Sequence, residues 1–304
     1  MVLAMQKLPQ ALLDRLERQY GPVSRDAIIA AFGLSRRPTL RTNTIKATDD
    51  EIMAAFREAA IQFERVKQIP HAFAIKNRTG DDLRELPLAK DGKIYLQGLT
   101  SMLPPLILDP KPDAAILDLC AAPGSKTSQL AAMMNDRGAI VAYEQDSVRY
   151  QKLLNTLRIQ GATNVETRMV DATLISHEYP ETFDNILADV PCSAEGRINL
   201  NEPRSYRYWN EKNIVAHAKL QRRLLRSAVA MLKAGGTLVY STCTLAPEEN
   251  EEMIAWLVAE FPVMRPVPIA LPFPSRKGPH NEVTILPSKD VEGFFVAKLV
   301  KHGP

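Results

Sequence analysis

From about residue 110 onward, two rhythms alternate along the chain. Short β-prone runs predict strands at Ala115–Leu119, Ala139–Tyr143, Val165–Met169, Asp184–Asp189 and Gly236–Ser241. Between them, apolar residues recur at helical spacing and predict helices near Ser125–Met134, Ser147–Gln160, Asn210–Leu232 and Glu248–Phe261. This order describes a doubly wound, Rossmann-like α/β domain with a mainly parallel sheet. Two later runs, Glu282–Leu286 and Gly293–Leu299, are placed to close the sheet as an antiparallel pair.

The first third reads differently. Leu12, Leu13, Leu16 and Tyr20 share one face of a helix over Pro9–Tyr20, and a second helix over Arg25–Phe32 stops at Gly33. After Pro38, Leu40, Thr42 and Thr44 alternate as in a strand. Thr48 and Glu51 then form a capping box that opens a helix to about Ile61. β-like pieces at Glu64–Ile69, Ala72–Ile75 and Lys93–Leu96 complete a small α+β module before Pro104. Two domains are expected, residues 1–109 and 110–304.

Composition narrows the function class. A chain of 304 residues, 45% hydrophobic and 24% charged, buries a substantial core and is not disordered. Its three cysteines, Cys120, Cys192 and Cys243, include no CxxC pair, which argues against a disulfide scaffold or a metal site and for a reducing, cytoplasmic setting. No run of about eighteen apolar residues exists, and charges interrupt the first twenty residues where a signal-peptide core would lie. A soluble, unexported protein without a membrane partner is expected. The net charge of +3 is too small to identify a polyanionic partner, so the location of the charges matters more than their sum.

Chemistry collects at the predicted strand ends, where ligands of open α/β sheets bind. The first strand runs into Cys120-Ala121-Ala122-Pro123-Gly124-Ser125-Lys126, a cofactor-loop candidate lacking the glycines of the dinucleotide and P-loop motifs. The second ends at Glu144, placed for a ribose diol, the third at Asp171, placed for an adenine amine, and the fourth at Asp189. Each alone is also an ordinary turn residue. Together they describe a nucleoside pocket with no pyrophosphate requirement, and S-adenosylmethionine fits it.

Cys192 and Cys243 follow adjacent strands and should meet near that cofactor. Free cysteines are more often inert core residues, but two at neighbouring strand ends suggest chemistry. Carbon 5 of cytosine is a poor nucleophile until a thiolate adds to carbon 6, so one thiol would form the adduct and a second assist release. Asp189 and Lys126 are candidates for holding the ring's N3 and amino edge.

These motifs resemble the Nop/Sun (Fmu-like) RNA cytosine-5 methyltransferases. The resemblance is carried by Asp118-Leu-Cys-Ala-Ala-Pro-Gly-Ser-Lys-Thr127, by Asp189-Val-Pro-Cys-Ser193 with Glu195-Gly196, and by Ser241-Thr-Cys-Thr-Leu-Ala-Pro-Glu-Glu-Asn-Glu251. Weaker matches are Arg41–Lys46, Tyr95–Ser101 and Gly293–Lys298. It implies a class I S-adenosylmethionine-dependent methyltransferase with a small RNA-recognition-like module in front. By the same resemblance Cys243 is the nucleophile and Cys192 assists release. Cys120 to Lys126, Glu144, Asp171 and Asp189 form the cofactor pocket, with Asp189 and Lys126 also reaching the base. One departure follows Pro-Cys: the family usually has Ser-Gly or Gly-Gly where this chain has Ser193-Ala194, which suggests a slightly altered loop path.

The segment Arg197–Arg226 holds eight basic residues against two acids, with Tyr206, Tyr208 and Trp209 among them. Arg197, Arg204 and Arg207 are candidate phosphate contacts beside aromatic faces for splayed bases, although such residues also line solvated helices. In the front module, Arg41 and Lys46 are the candidates. Methylation of C5 requires the target cytidine to be turned out of its stack. Transfer RNA and ribosomal RNA are both open, the small amount of chain after the last strand leaning faintly toward the former. No oligomer is required. Competing readings are a non-catalytic RNA-binding assembly factor and a methyltransferase for protein or small molecules.

Overall fold

The computed structural model describes residues 8–271 and 273–303. The first seven residues, which belong to the expected first domain and to the segment weighed as a leader, lie outside it.

Helices α1 (Gln10–Tyr20) and α2 (Pro22–Phe32) form an antiparallel pair turned at Gly21, whose φ of +79° suits glycine. Strand β1 (Thr39–Thr42) precedes α3 (Asp49–Glu58), which opens on the expected capping box: Thr48 accepts from Glu51 N–H, and Glu51 accepts from Thr48 N–H. The helix ends before Ile61 because Ala60 turns left-handed at φ +51°. Strands β2 (Phe63–Arg65), β3 (Ala72–Ile75) and β4 (Ile94–Leu96) complete an antiparallel sheet in the order β2-β3-β1-β4. Phe56, Phe63 and Phe73 pack edge to face beneath it. Two short helices not foreseen from sequence, α4 (Gly80–Glu85) and α5 (Pro87–Lys90), lie between β3 and β4. A third, α6 (Leu103–Leu108), starts with Pro104 and Pro105 in its first turn, where proline needs no N–H partner.

The second sheet contains β5 (Ala115–Asp118), β6 (Ala139–Glu144), β7 (Val165–Met169), β8 (Phe183–Asp189) and β9 (Leu232–Thr242), parallel in the order β7-β6-β5-β8-β9. Helices α7 (Ser125–Met133), α8 (Ser147–Gln160), α9 (Glu211–Met231) and α10 (Glu251–Glu260) alternate with these strands. Three short strands, β10 (Met264–Val267), β11 (Arg276–Lys277) and β12 (Val283–Ile285), precede β13 (Phe294–Lys301). As expected, β12 and β13 extend the sheet antiparallel beyond β9. β10 pairs with the far half of β13 and β11 with β12; both were too short to read from sequence. A strand order that reverses beside β5 puts a ligand crevice above the carboxyl ends of β5 and β8. Among the described residues, no helix is long and apolar enough to cross a membrane.

The helical lead-in does not pack on the front sheet. Leu12, Leu16, Ile28 and Phe32 bury against Ile198, Leu200, Tyr206 and Leu245, side chains of the loops that follow β8 and β9. The α1–α2 hairpin is thus a brace for those two loops.

Candidate active site

Strand register brings the two cysteines together. Asp189 on β8 pairs with Ser241 on β9, so Cys192 and Cys243, a few residues further along each chain, emerge side by side. Their sulfurs lie 3.2 Å apart, and the Cys243 N–H donates to Cys192 Sγ at 3.3 Å. Their electrostatics differ. The Cys243 thiol is lowered from its ordinary value, first by its hydrogen bond with Cys192 and also by the Arg197 and Lys126 cations. The Cys192 thiol is pushed up by the same hydrogen bond, by burial and by nearby charge, Glu249 included. Cys243 is therefore the better thiolate of the pair.

Lys126, in the first turn of α7, donates to Asp189 Oδ2 at 2.6 Å and to Ser101 Oγ at 3.0 Å. Asp189 Oδ1 accepts from Ser241 Oγ at 2.7 Å. This ion pair stands on the strand ends from which both thiols project. Ser101 and Ser241 lie within the sequence motifs, but their roles depend on contacts between distant segments.

The expected cofactor residues divide. Cys120, Glu144 and Asp171 line one small cavity with Arg149, Pro191 and Leu224. Burial pushes the Cys120 thiol well up, which makes it a cavity wall rather than a nucleophile. Glu144 is only 4% exposed; Oε1 accepts the Asp146 N–H at 3.0 Å, while Oε2 accepts no hydrogen bond among the described residues, although Arg149 stands 3.3 Å away. That open acceptor fits a diol. Ala121 and Ala122 instead pack into the core against Leu153 and Leu157, and the Ala122 carbonyl accepts from Arg149. Pro123 is exposed, and Ser125 offers its carbonyl to Arg41 at 3.2 Å. Gly124 has φ +101° and caps α7, and a Cβ there would sit 3.1 Å from Leu153 and Thr156. Asp118 lies beneath the loop, pushed up to about 6 by burial and held by Thr127 Oγ1 at 2.7 Å.

Of the expected RNA contacts, Arg41 is corrected and Lys46 is exposed but engaged. Arg41 is 3% exposed and donates to Gln97, Ser128 and Ser125, which ties the front sheet to α7. The Lys46 ammonium donates to the carbonyls of Asp91 and Ile159 and closes the end of α8 against the module. Contacts with α7 take Arg41 inward, whereas Lys46 stays exposed with its ammonium engaged by the two carbonyls. Tyr206 is buried, and Trp209 donates to Glu195 Oε1 at 2.8 Å, so these two aromatics anchor the loop; Tyr208 is exposed beneath Arg207. Arg197, Arg204 and Arg207 are exposed, Arg197 at 3.4 Å from Glu292. Arg223 and Arg226 turn away toward Thr173 and Glu260.

Ala194, the departure from the usual glycine, adopts a left-handed conformation at φ +58°. Next to it, Gly196 donates its N–H to the Cys243 carbonyl and accepts from Gly293 N–H. A Cβ on Gly196 would come within 2.3 Å of the Gly293 carbonyl oxygen, so this junction excludes larger residues.

Comparisons with known proteins agree with this geometry. The family described as 16S rRNA methyltransferase RsmB/F matches residues 105–300, and the ferredoxin-like domain of RsmF/B-like methyltransferases matches residues 8–80. Ribosomal RNA small subunit methyltransferase F of Cronobacter sakazakii is 37% identical over 97% of the chain, and that of Shewanella loihica is 38% identical over 92%. The chain spans 63% and 59% of those relatives' lengths. A methyltransferase homolog from Pyrococcus horikoshii superimposes with a TM-score of 0.83 at 32% identity, over 95% of this chain and 93% of that one. NSun6 from the same organism shares the fold, with a TM-score of 0.87 at 22% identity over 97% and 99%. With its front sheet, its Rossmann-like domain and its paired thiols, the chain belongs to the RsmB/F family of 16S rRNA methyltransferases.

Proposed function

We propose that the chain is an S-adenosylmethionine-dependent RNA cytosine-5 methyltransferase working through a covalent cysteine adduct. The observation that carries this reading is the 3.2 Å approach of Cys192 and Cys243 beside the Lys126–Asp189 pair. Bound S-adenosylmethionine supplies an electrophilic methyl group. Glu144, with its open acceptor, would hold the ribose diol, and Asp171, in the same cavity, the adenine amine.

Cys243, the better thiolate, adds to C6 of a cytosine. The sulfur–carbon bond forms as the ring's C5–C6 electrons move toward N3, where Lys126 and Asp189 deliver a proton. C5 is then nucleophilic. After methylation the C5 proton leaves to a base, the Cys243–C6 bond breaks with the sulfur departing as thiolate, and N3 returns its proton to the Lys126–Asp189 pair. Cys192, held mainly as a thiol, is placed to assist this release.

RNA as substrate is supported by exposed Arg197, which faces the thiols, and by exposed Arg204 and Arg207 on the same loop. A broad groove between β2 and the segment before β13, lined by Arg37, Arg65, Lys67, Arg276 and Lys289 against Glu64 and Asp290, offers further phosphate contacts. Its residues come from three distant segments, so no local charge cluster announced it. The names of the curated relatives favour small-subunit ribosomal RNA over transfer RNA, with the target cytidine turned out of its stack.

The test incubates the chain with labelled cofactor and ribosomal RNA. Wild type should yield labelled 5-methylcytidine, Cys243→Ala none, and Cys192→Ala a protein–RNA adduct stable to denaturing gels. Undiminished methylation by Cys243→Ala would sink the mechanism. Label found on protein or a small molecule would sink the substrate class.

A further inference from the structure

Two neighbours in the chain, Glu249 and Asn250, sit behind the thiols, each fully buried. The Glu249 carboxylate accepts the Ser193 N–H at 3.2 and 3.3 Å and Gln221 Nε2 at 2.7 Å. The same Gln221 nitrogen donates to the Pro191 carbonyl at 2.8 Å. Pro191 and Ser193 flank Cys192. The Gln221 amide nitrogen faces both acceptors, and its oxygen accepts no hydrogen bond among the described residues. Asn250 repeats the arrangement on the other loop. Its Oδ1 accepts from Thr242 Oγ1 at 2.6 Å, and its Nδ2 donates to the Thr244 carbonyl at 3.1 Å. Thr242 and Thr244 flank Cys243.

A helix start needs no such expense: burying a carboxylate among neutral donors costs several kcal/mol, on the order that an apolar residue would avoid. What the arrangement provides is a common base beneath two loops that are otherwise joined by strand register, by the Gly196–Cys243 backbone bond and by a Ser193–Thr244 contact. We infer that Glu249 and Asn250 are positioning residues for the thiol pair: Glu249 sets the Cys192 loop, Asn250 sets the Cys243 loop, and the single peptide link between them couples the two settings on top of the β8–β9 register. Above about pH 7, where its buried carboxyl is ionised, Glu249 also puts negative charge on the Cys192 side, which favours the protonated form of that thiol and leaves Cys243 as the attacking one. The kinetic consequences rest on the function proposed above; the effect on thiol reactivity does not.

The experiment therefore has two arms. In the first, the full chain without RNA is alkylated by iodoacetamide, and Cys192 and Cys243 are followed separately by peptide mass spectrometry. Above about pH 8, where Glu249 is ionised, Glu249→Gln should raise the Cys192 rate relative to Cys243 by about threefold or more, since removal of the charge frees the thiolate. Asn250→Ala should alter Cys243 instead. Equal changes at both thiols, or none, overturn the inference. In the second arm, Glu249→Gln should lower steady-state methylation by about tenfold, slow the first transfer less, and accumulate adduct. Added to Cys192→Ala, it should cost nothing further, because it acts through that thiol; an additive loss overturns the inference. Gln221→Leu, which cuts the Pro191 anchor without removing the carboxylate, should give the same kinetic split and serves if Glu249→Gln does not fold. Shifted alkylation in a chain that forms no adduct with RNA would instead mark failure of the proposed function.

Discussion

Ser193 and Thr244, the residues that follow the two cysteines, share a hydroxyl–hydroxyl hydrogen bond of 2.6 Å. Thr244 also reaches Glu195 Oε2 at 3.4 Å and accepts the Ala246 N–H at 3.3 Å. The bond is therefore a rung between loops. Thr244→Val should destabilise the fold by about 1–3 kcal/mol, because it strands a buried N–H and loosens the rung. Ser193→Ala, at a half-buried position, should cost about 1 kcal/mol or less. Urea unfolding of the two variants checks the ranking, which reverses if Ser193 is the stronger anchor.

Lys126→Met should retain the fold and lose activity. The lysine's polar partners are Ser101 and Asp189 at the site, while its stem packs in the first turn of α7. A loss of about 100-fold or more in single-turnover methylation is expected if it delivers a proton to the ring. Ser101→Ala, which removes only the second partner, should cost about tenfold or less. Rates from rapid-quench assays separate these cases.

Glu195 and Glu249 make stability depend on pH. Burial, the first cause in each, pushes both carboxyls up to about 7; Trp209 and Arg15 oppose this at Glu195, Ser193 and Gln221 oppose it at Glu249, and Glu248 adds to it at both. The folded chain thus keeps two protons that the unfolded chain releases near pH 4.5. Their contribution is fully present below that value and is lost as pH rises through about 7, on the order of 3 kcal/mol each. Glu195→Gln should flatten the fall in unfolding free energy between about pH 5 and 8. An unchanged slope in denaturant titrations would refute it.

Ala194 can be tested by relieving its backbone. A left-handed alanine costs about 1–2 kcal/mol, partly offset by the freedom glycine gains on unfolding. Ala194→Gly should therefore be neutral or stabilise by up to about 1 kcal/mol, and Ala194→Val should destabilise by more than about 1 kcal/mol. Thermal melts of both variants decide the matter.

Arg41 and Arg204 should separate structure from binding. Arg41→Ala removes donors to Gln97, Ser128 and Ser125 and should destabilise by about 2–4 kcal/mol. Arg204→Ala should leave stability within about 0.5 kcal/mol and reduce the salt dependence of RNA affinity by about one ion. Filter binding at several salt concentrations, beside thermal melts, reads both.

The sequence was informative where periodicity and strand ends coincide. The parallel strands, their helices and the Thr48–Glu51 capping box all appear in the local pattern, because period and cap are properties of neighbouring residues. Cys192 and Cys243 could be paired because adjacent parallel strands end level with each other. What could not be read depends on contacts across the chain. The inward turn of Arg41 needs α7 from the other domain, and Trp209 appears as a stacking face until Glu195 is placed against it. Likewise, Glu249 reads as one of several acids at a helix start until Ser193 and Gln221 reach it from two other elements.

The docking of α1–α2 on the loops after β8 and β9 ties the order of folding to the chemistry. Ile198, Leu200, Tyr206 and Leu245 have their apolar cover in residues roughly two hundred positions upstream. Such distant closure is entropically slow, so the Rossmann-like sheet can form first while its two reactive loops wait for the hairpin. During synthesis the hairpin emerges early and must stay available until the thiol loops arrive. The geometry of the paired thiols thus depends on the amino-terminal hairpin as well as on the second half of the chain.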